Sequence, residues 1–165
     1  MKQEKLFDRF PILEGSRVIL KETGMKDHPM MTDLFERHLS EKYTVMLVEG
    51  FRRKFLQKES LVLGVYEKDT GHLAGVIEAY DRTADGSVQI GYRTSLPFRN
   101  KGYTKEAAWL FAAWLMSLPD VPYLRAVTGK ENTASQKILT GCGFRKQAET
   151  ENEYIYTYGR NVHEE

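Results

Sequence analysis

The chain has 165 residues, 41% hydrophobic and 28% charged, a balance that fits a globular domain and excludes a disordered or fibrous one. With 24 basic and 23 acidic side chains the net charge is +1, so the global basic surplus of a nucleic-acid binder is absent. The single cysteine, Cys142, rules out an intramolecular disulfide and fits a reducing compartment; the four histidines, His28, His38, His72 and His163, show no zinc-like spacing, so no metal is expected.

The N-terminal "MKQEKLFDRF" lacks the apolar centre of a signal peptide, and no apolar run reaches the ~18 residues a membrane span needs. A single domain over residues 1–165, soluble and cytoplasmic, is the expectation. "RVILKE" (Arg17–Glu22) reads as a first strand. In "KDHPMMTDLFERHLS" the spacing of Met30, Met31, Leu34, Phe35 and Leu39 predicts a helix, with Asp27 as its cap and Pro29 in the first turn. "VEGFRRKFLQK" predicts a second helix with Phe51, Phe55 and Leu56 on one side. Three apolar runs between Ser60 and Thr94, parted by the turn-rich "KDTGH" and "TADGS", predict an antiparallel meander. An apolar helix follows from about Tyr103 to Ser117, stopped by Pro119, and then a strand, Tyr123–Gly129. "NTASQKILTGCGF" starts at a good cap, Asn132, and closes at Gly143. Two strands end the pattern, about Arg145–Thr150 and Glu153–Tyr158, the latter with Tyr154, Tyr156 and Tyr158 on one face. This order predicts an α/β or α+β domain, a mixed sheet flanked by helices.

The stretch richest in chemistry is "LPFRNKGYTKEAAWLFAAWL", where a basic loop runs into the apolar helix. A helix start exposes unpaired N–H groups and carries partial positive charge. Arg99 and Lys101 add full charges, and Gly102 permits close approach to the backbone. The segment suits a bound pyrophosphate, and it equally suits an ordinary basic turn; it is neither a Walker A loop nor GxGxxG. Downstream lies "NTASQKILTGCGF".

Together the two segments resemble the GNAT acetyltransferase superfamily, and more narrowly its branch of ribosomal-protein alanine N-acetyltransferases. The family's loop reads R/Q-x-x-G-x-G/A, matched here by Arg99, Gly102 and Thr104; its second motif, N-x-x-S and then a helix ending in G-F, is matched by Asn132, Ser135, Gly143 and Phe144. The likeness runs from Ser16 to Tyr158, with departures at Asn100, where Gly is common, and at Thr104, where Gly or Ala is. It implies a mostly antiparallel sheet of about seven strands with about four helices and splayed central strands. It implies acetyl-CoA as co-substrate, a small-molecule or peptide amine as acceptor, neither nucleic acid nor membrane as partner, and a monomer or homodimer. Arg99, Asn100, Lys101, Gly102, Tyr103 and Thr104 are then the pyrophosphate loop. Tyr92, Arg93 and Thr94 contact the pantetheine arm, a backbone N–H among them polarises the thioester carbonyl, and Asn132 binds the arm through its amide.

An attacking amine must be neutral, and Glu78, a carboxylate in the apolar run "GVIEAY", is the leading candidate for its base. An acceptor-binding or an exposed structural role for Glu78 stays open, and Gln89 is a weaker substrate contact. Many relatives protonate the leaving thiol with a tyrosine seven residues after the motif Asn; Leu139 stands there, so the role falls to Ser135. Cys142, between two glycines, reads as a small buried residue. Acceptor choice is assigned to "HLSEKYTVMLVEGFRRKF" and to "AETENEYIYTYG", whose Glu149, Glu151 and Glu153 suit a cationic acceptor or form a solvated cluster. The rival readings are a CoA-binding module without catalysis and a nucleotide-binding regulator that uses the loop for ATP.

Overall fold

The computed structural model describes residues 5–37 and 39–159. The elements are β1 (Leu13–Glu14), β2 (Val18–Lys21), α1 (His28–Phe35), α2 (Glu41–Leu56), β3 (Ser60–Glu67), β4 (Leu73–Tyr80), β5 (Val88–Thr94), α3 (Tyr103–Ser117), β6 (Tyr123–Gly129), α4 (Thr133–Gly141), β7 (Arg145–Glu149) and β8 (Glu153–Gly159). They form one eight-stranded sheet in the order β1-β2-β3-β4-β5-β6-β8-β7, antiparallel except where β5 meets β6. The expected architecture is present, with the two-residue β1 as the additional strand. No helix among the described residues is long and apolar enough to cross a membrane.

Strand alternation divides the sheet into two faces. Leu61, Leu63, Val65, Ile77, Ala79, Val88 and Ile90 face α3, whose Ala107, Ala108, Phe111, Ala112 and Leu115 are all buried. Three alanines on that stripe bring the helix close to the sheet, and Phe111 fills the space between them. On the other face Met31, Leu34, Leu39, Tyr66 and Leu73 form a second cluster beneath α1 and α2. Ile77 belongs to the first cluster and its neighbour Val76 to the second, so Glu78 lies on the α1/α2 side.

Four local expectations are corrected. Asp27 does not cap α1 through its side chain; fully buried, its carboxylate accepts a hydrogen bond from the Tyr66 hydroxyl at 2.6 Å and from the Gly24 amide at 2.9 Å. Helix α1 ends at Phe35, where Glu36 takes a left-handed conformation (φ 56°), so Leu39 is buried from beyond the helix. Helix α2 begins at Glu41 rather than near Val48, because Ser40 caps it by accepting from the Tyr43 amide. Phe55 is buried on α2 but Leu56 is 71% exposed, since adjacent helical residues lie about 100° apart and cannot share a face.

Candidate active site

Strands β5 and β6 run parallel and pair only through Val88–Leu124 and Gln89–Arg125. Beyond that point β5 stays with β4 as far as Thr94, and β6 stays with β8 as far as Gly129, so the two part like the arms of a V. Two strand edges that would ordinarily satisfy each other instead border a gap, which suits an extended, amide-rich ligand.

The chain leaves β5 through a short 3-10 turn at Leu96–Phe98 and enters α3 after two left-handed residues, Asn100 (φ 62°) and Gly102 (φ 83°). A Cβ on Gly102 would lie 3.3 Å from the Arg17 guanidinium, so glycine answers both the backbone angle and the space. Tyr103 anchors the helix start: its hydroxyl donates to Glu67, and Arg17 lies over its ring at 4.3 Å. The hydroxyls of Thr94 and Thr104 bond to each other, tying the end of β5 to the first turn of α3. Thr104 is 7% exposed, and this pairing occupies a hydroxyl that the sequence had placed with the loop.

A cavity of about 620 Å³ runs from this loop to α4. Arg99, Asn100, Gly102, Tyr103, Thr104, Tyr92, Thr94, Asn132 and Ser135 line it, together with Phe98, Ala134 and Ile138. Its lining holds three cations, Arg99, Lys105 and Lys137, and no carboxylate. Lys105 and Lys137 are not in the sequence-derived site; no motif marks them, and the packing of α3 against α4 brings them to it. Arg93 and Lys101, in contrast, do not line the cavity. The Arg93 guanidinium donates to the Leu34 carbonyl at 2.8 Å on the α1 side, and Lys101 lies over the Phe98 ring at 5.9 Å. Arg99 pairs with Glu36 at 3.1 Å, across a surface where both side chains are about two-fifths exposed.

On α4 the Asn132 Oδ1 accepts from the Ser135 amide at 3.1 Å, so the cap uses the oxygen and leaves the NH₂ group. The Ser135 Oγ lies 2.8 Å from the Tyr92 hydroxyl, whose single proton faces both that oxygen and the Ser135 carbonyl at 3.2 Å. Burial pushes the Tyr92 phenol up to about 12, so at neutral pH it holds its proton. Leu139 is buried and borders the gap with no polar atom to offer. Cys142 is buried too; its Sγ approaches the Lys105 carbonyl at 3.5 Å, and burial raises its thiol further from ionisation, which leaves it a packing residue.

Glu78 is half-buried on the face opposite α3, with Val62 and Gly91 as its cross-strand neighbours. Burial raises its carboxyl above the ordinary range, and Lys54 on α2 partly offsets this. Gln89 is engaged at both ends: its Oε1 accepts from Arg125 at 3.3 Å and its Nε2 donates to the Tyr80 hydroxyl at 2.9 Å. The acidic segment is partly neutralised, since Glu149 pairs with Lys130 at 2.6 Å. Among the described residues no group of three His, Cys, Asp or Glu could hold a metal ion; His38 and His163 lie outside them.

Residues 17–145 match the family model described as acetyltransferase (GNAT) domain. The chain is 23% identical over 162 residues to an uncharacterized N-acetyltransferase of Bacillus subtilis (strain 168), YoaA, covering 91% of each. Among solved structures it is similar to a putative ribosomal-protein-serine acetyltransferase from Vibrio cholerae (TM-score 0.79, 16% identity, 91% of this chain and 98% of that one). It is also similar to the microcin C7 self-immunity acetyltransferase MccE, solved with acetyl-CoA and AMP (TM-score 0.77, 16% identity, 88% and 94%).

Proposed function

We propose that this chain, which belongs to the GNAT acetyltransferase family, transfers an acetyl group from acetyl-CoA to a primary amine by direct attack in a ternary complex. The observation that carries the reading is a continuous path. The cationic cavity at the start of α3 and the smaller cavity in the gap between β5 and β6 share Tyr92, Asn132 and Ser135, and Gly91, which lines the gap, is the cross-strand neighbour of Glu78. A long donor with phosphates at one end and a thioester at the other fits that path, and the acceptor enters from the α1/α2 side.

The phosphates face the open amides behind Gly102 and the side chains of Arg99, Lys105 and Lys137. The pantetheine amides face the parted edges of β5 and β6, with the Asn132 NH₂ as a further donor. Glu78, through water, takes the proton that leaves the ammonium. The amine lone pair forms the C–N bond to the carbonyl carbon, the π pair moves onto oxygen, and a backbone N–H within Tyr92–Thr94 steadies that charge. Collapse breaks the C–S bond, the nitrogen sheds its second proton to water as the amide forms, and the thiolate receives a hydrogen bond and then a proton from Ser135, which Tyr92 resupplies across 2.8 Å before water returns a proton to the phenol.

The acceptor is a protein N-terminus, a polyamine or a small-molecule amine; the likeness to a putative ribosomal-protein-serine acetyltransferase favours testing peptides first. Leu139 would favour a binding module without catalysis, but the Tyr92–Ser135 pair supplies hydroxyls at the same gap. The test is thiol release from acetyl-CoA across peptides, polyamines and simple amines. Turnover above solvent hydrolysis with at least one class is expected. Tight coenzyme A binding with no turnover across the panel would establish the module instead.

A further inference from the structure

Tyr80 belongs to no sequence motif, and its hydroxyl is aimed by a chain of hydrogen bonds whose direction is fixed. Arg125 has only donors. Its guanidinium is held by the Ser87 Oγ at 3.2 Å, by the Asp81 carbonyl and by the Asp81 carboxylate at 3.5 Å, and it donates to the Gln89 Oε1 at 3.3 Å. Gln89 must therefore turn its NH₂ group toward Tyr80, and donates to that hydroxyl at 2.9 Å. The hydroxyl is an acceptor in this bond, so its own proton is left for something else. Burial, and then the charge of Glu78, raise the phenol above its ordinary range and keep that proton in place.

The position of the hydroxyl says what the proton is for. Tyr80 and Glu78 share a face of β4, with Gln89 and Gly91 opposite them on β5. Gly91 is just past the last pair that joins β5 to β6. A Cβ at Gly91 would meet the Tyr80 ring at 3.3 Å and its hydroxyl oxygen at 3.6 Å, so the phenol leans over the one β5 residue without a side chain, where the gap opens. A cavity of about 210 Å³ in that gap is lined by Tyr80 and Gly91 from one side and by Tyr92, Asn132 and Ser135 from the other.

Resting on the acetyl-transfer reading, we propose that the Tyr80 hydroxyl donates to the thioester carbonyl oxygen as it becomes an oxyanion, the side-chain partner of a β5 backbone N–H, and that Gln89, held by Arg125, positions it. Tyr80 keeps its proton throughout. It strengthens a hydrogen bond as the π pair moves onto oxygen and weakens it again as the C–S bond breaks. Gln89 is thereby a positioning residue rather than a substrate contact.

The experiment compares wild type, Tyr80→Phe, Gln89→Leu and a 3-fluorotyrosine at position 80. The two acceptors are an amino-acid amide and a simple alkylamine, and coenzyme A affinity is measured by calorimetry. Removing one oxyanion donor lowers kcat by about 10²–10³-fold, so Tyr80→Phe is expected to lose that factor equally with both acceptors, with coenzyme A affinity unchanged. Gln89→Leu is expected to lose less, and fluorotyrosine, a stronger donor, to exceed wild type below its own titration. A loss confined to the amide acceptor would show instead that Tyr80 binds the acceptor. Unchanged kcat, or a loss matched by weaker coenzyme A binding, would also overturn the proposal, and the fluorotyrosine comparison decides if Tyr80→Phe fails to fold. Wild type that binds coenzyme A but acetylates neither these nor any other amine sinks the acetyl-transfer reading itself, which the variants cannot mimic.

Discussion

Replacing Glu78 by Gln tests the base directly, because rate and stability should respond to it with opposite signs. Gln keeps the shape between Val62 and Gly91 and removes the charge. A positioned general base contributes about 10²–10⁴-fold, or about 3–5 kcal/mol of barrier, so the variant should lose that much in kcat/KM near neutrality. The wild-type profile should show two ascending limbs, one for Glu78, above the ordinary carboxylate range, and one for the amine, near ~8 for an α-amine or ~10.4 for an alkylamine. Glu78→Gln abolishes the first and leaves the second. Lys54→Met, which removes the cation that offsets burial, should move the first limb to higher pH. For stability, burial makes the folded-state pKa of Glu78 higher than its unfolded value. Its favourable contribution is then complete below the unfolded pKa and fades as pH rises through the folded one. The Tm of Glu78→Gln relative to wild type should therefore climb between acid and neutral pH. Thermal melts across that window, beside the thiol-release profile, give both readings. A variant with wild-type rate at every pH would remove Glu78 from the chemistry, and a Tm difference independent of pH would refute the buried carboxylate.

Glu36→Gln frees Arg99 from an exposed ion pair worth at most about 1 kcal/mol, so coenzyme A should bind up to ~5-fold tighter by calorimetry; weaker binding would mean that Glu36 holds Arg99 in its working position. Ser135→Ala and Tyr92→Phe act on one hydrogen-bonded unit 2.8 Å across, so each should slow turnover and the double variant should be no slower than the worse single one; additive losses in a double-mutant cycle would separate the two hydroxyls. Phe111→Ala empties the centre of the α3 face and should cost about 3–5 kcal/mol. That corresponds to a fall of roughly 6–20 °C in Tm at the usual ~2–4 °C per kcal/mol for a chain of this size, and a fall of less than ~3 °C would place the core elsewhere.

Elements governed by their own residues were legible. Helix α3 runs from Tyr103 to Ser117, as Gly102 and Pro119 mark it, and β6 runs from Tyr123 to Gly129 as its turn-flanked run suggests. Asp27 was misread because the local capping rule competes with a tyrosine 39 residues away, and the buried Tyr66 hydroxyl wins. The start of α2 was hidden by Tyr43, Thr44 and Val45, which favour strands, until Ser40 and the packing of Leu47 and Val48 override them. The same division holds at the site. Arg99, Gly102, Asn132 and Ser135 follow one another in short motifs, and the structure brings all four to one cavity. Lys105 and Lys137 carry no motif and reach the same cavity through the packing of α3 on α4, while Tyr80 reaches the smaller cavity in the strand gap through the register of β4 on β5.

Leu139 shows why motif position is a weak guide to chemistry. On the resemblance alone the leaving thiol lacks its tyrosine, and read strictly along the chain that absence points to a module without catalysis. In space the gap has two walls, and a hydroxyl can come from either. Tyr92 on β5 reaches across to Ser135 on α4, burial keeps its proton available, and Leu139 is left to pack. A donor on the strand is held by the sheet and not by the first turns of a nine-residue helix, so it stays in place whether or not α4 shifts to admit the pantetheine arm. On the proposed reading the leaving thiolate needs a proton held near the sulfur, and both β5 and α4 present a hydroxyl from which to supply it.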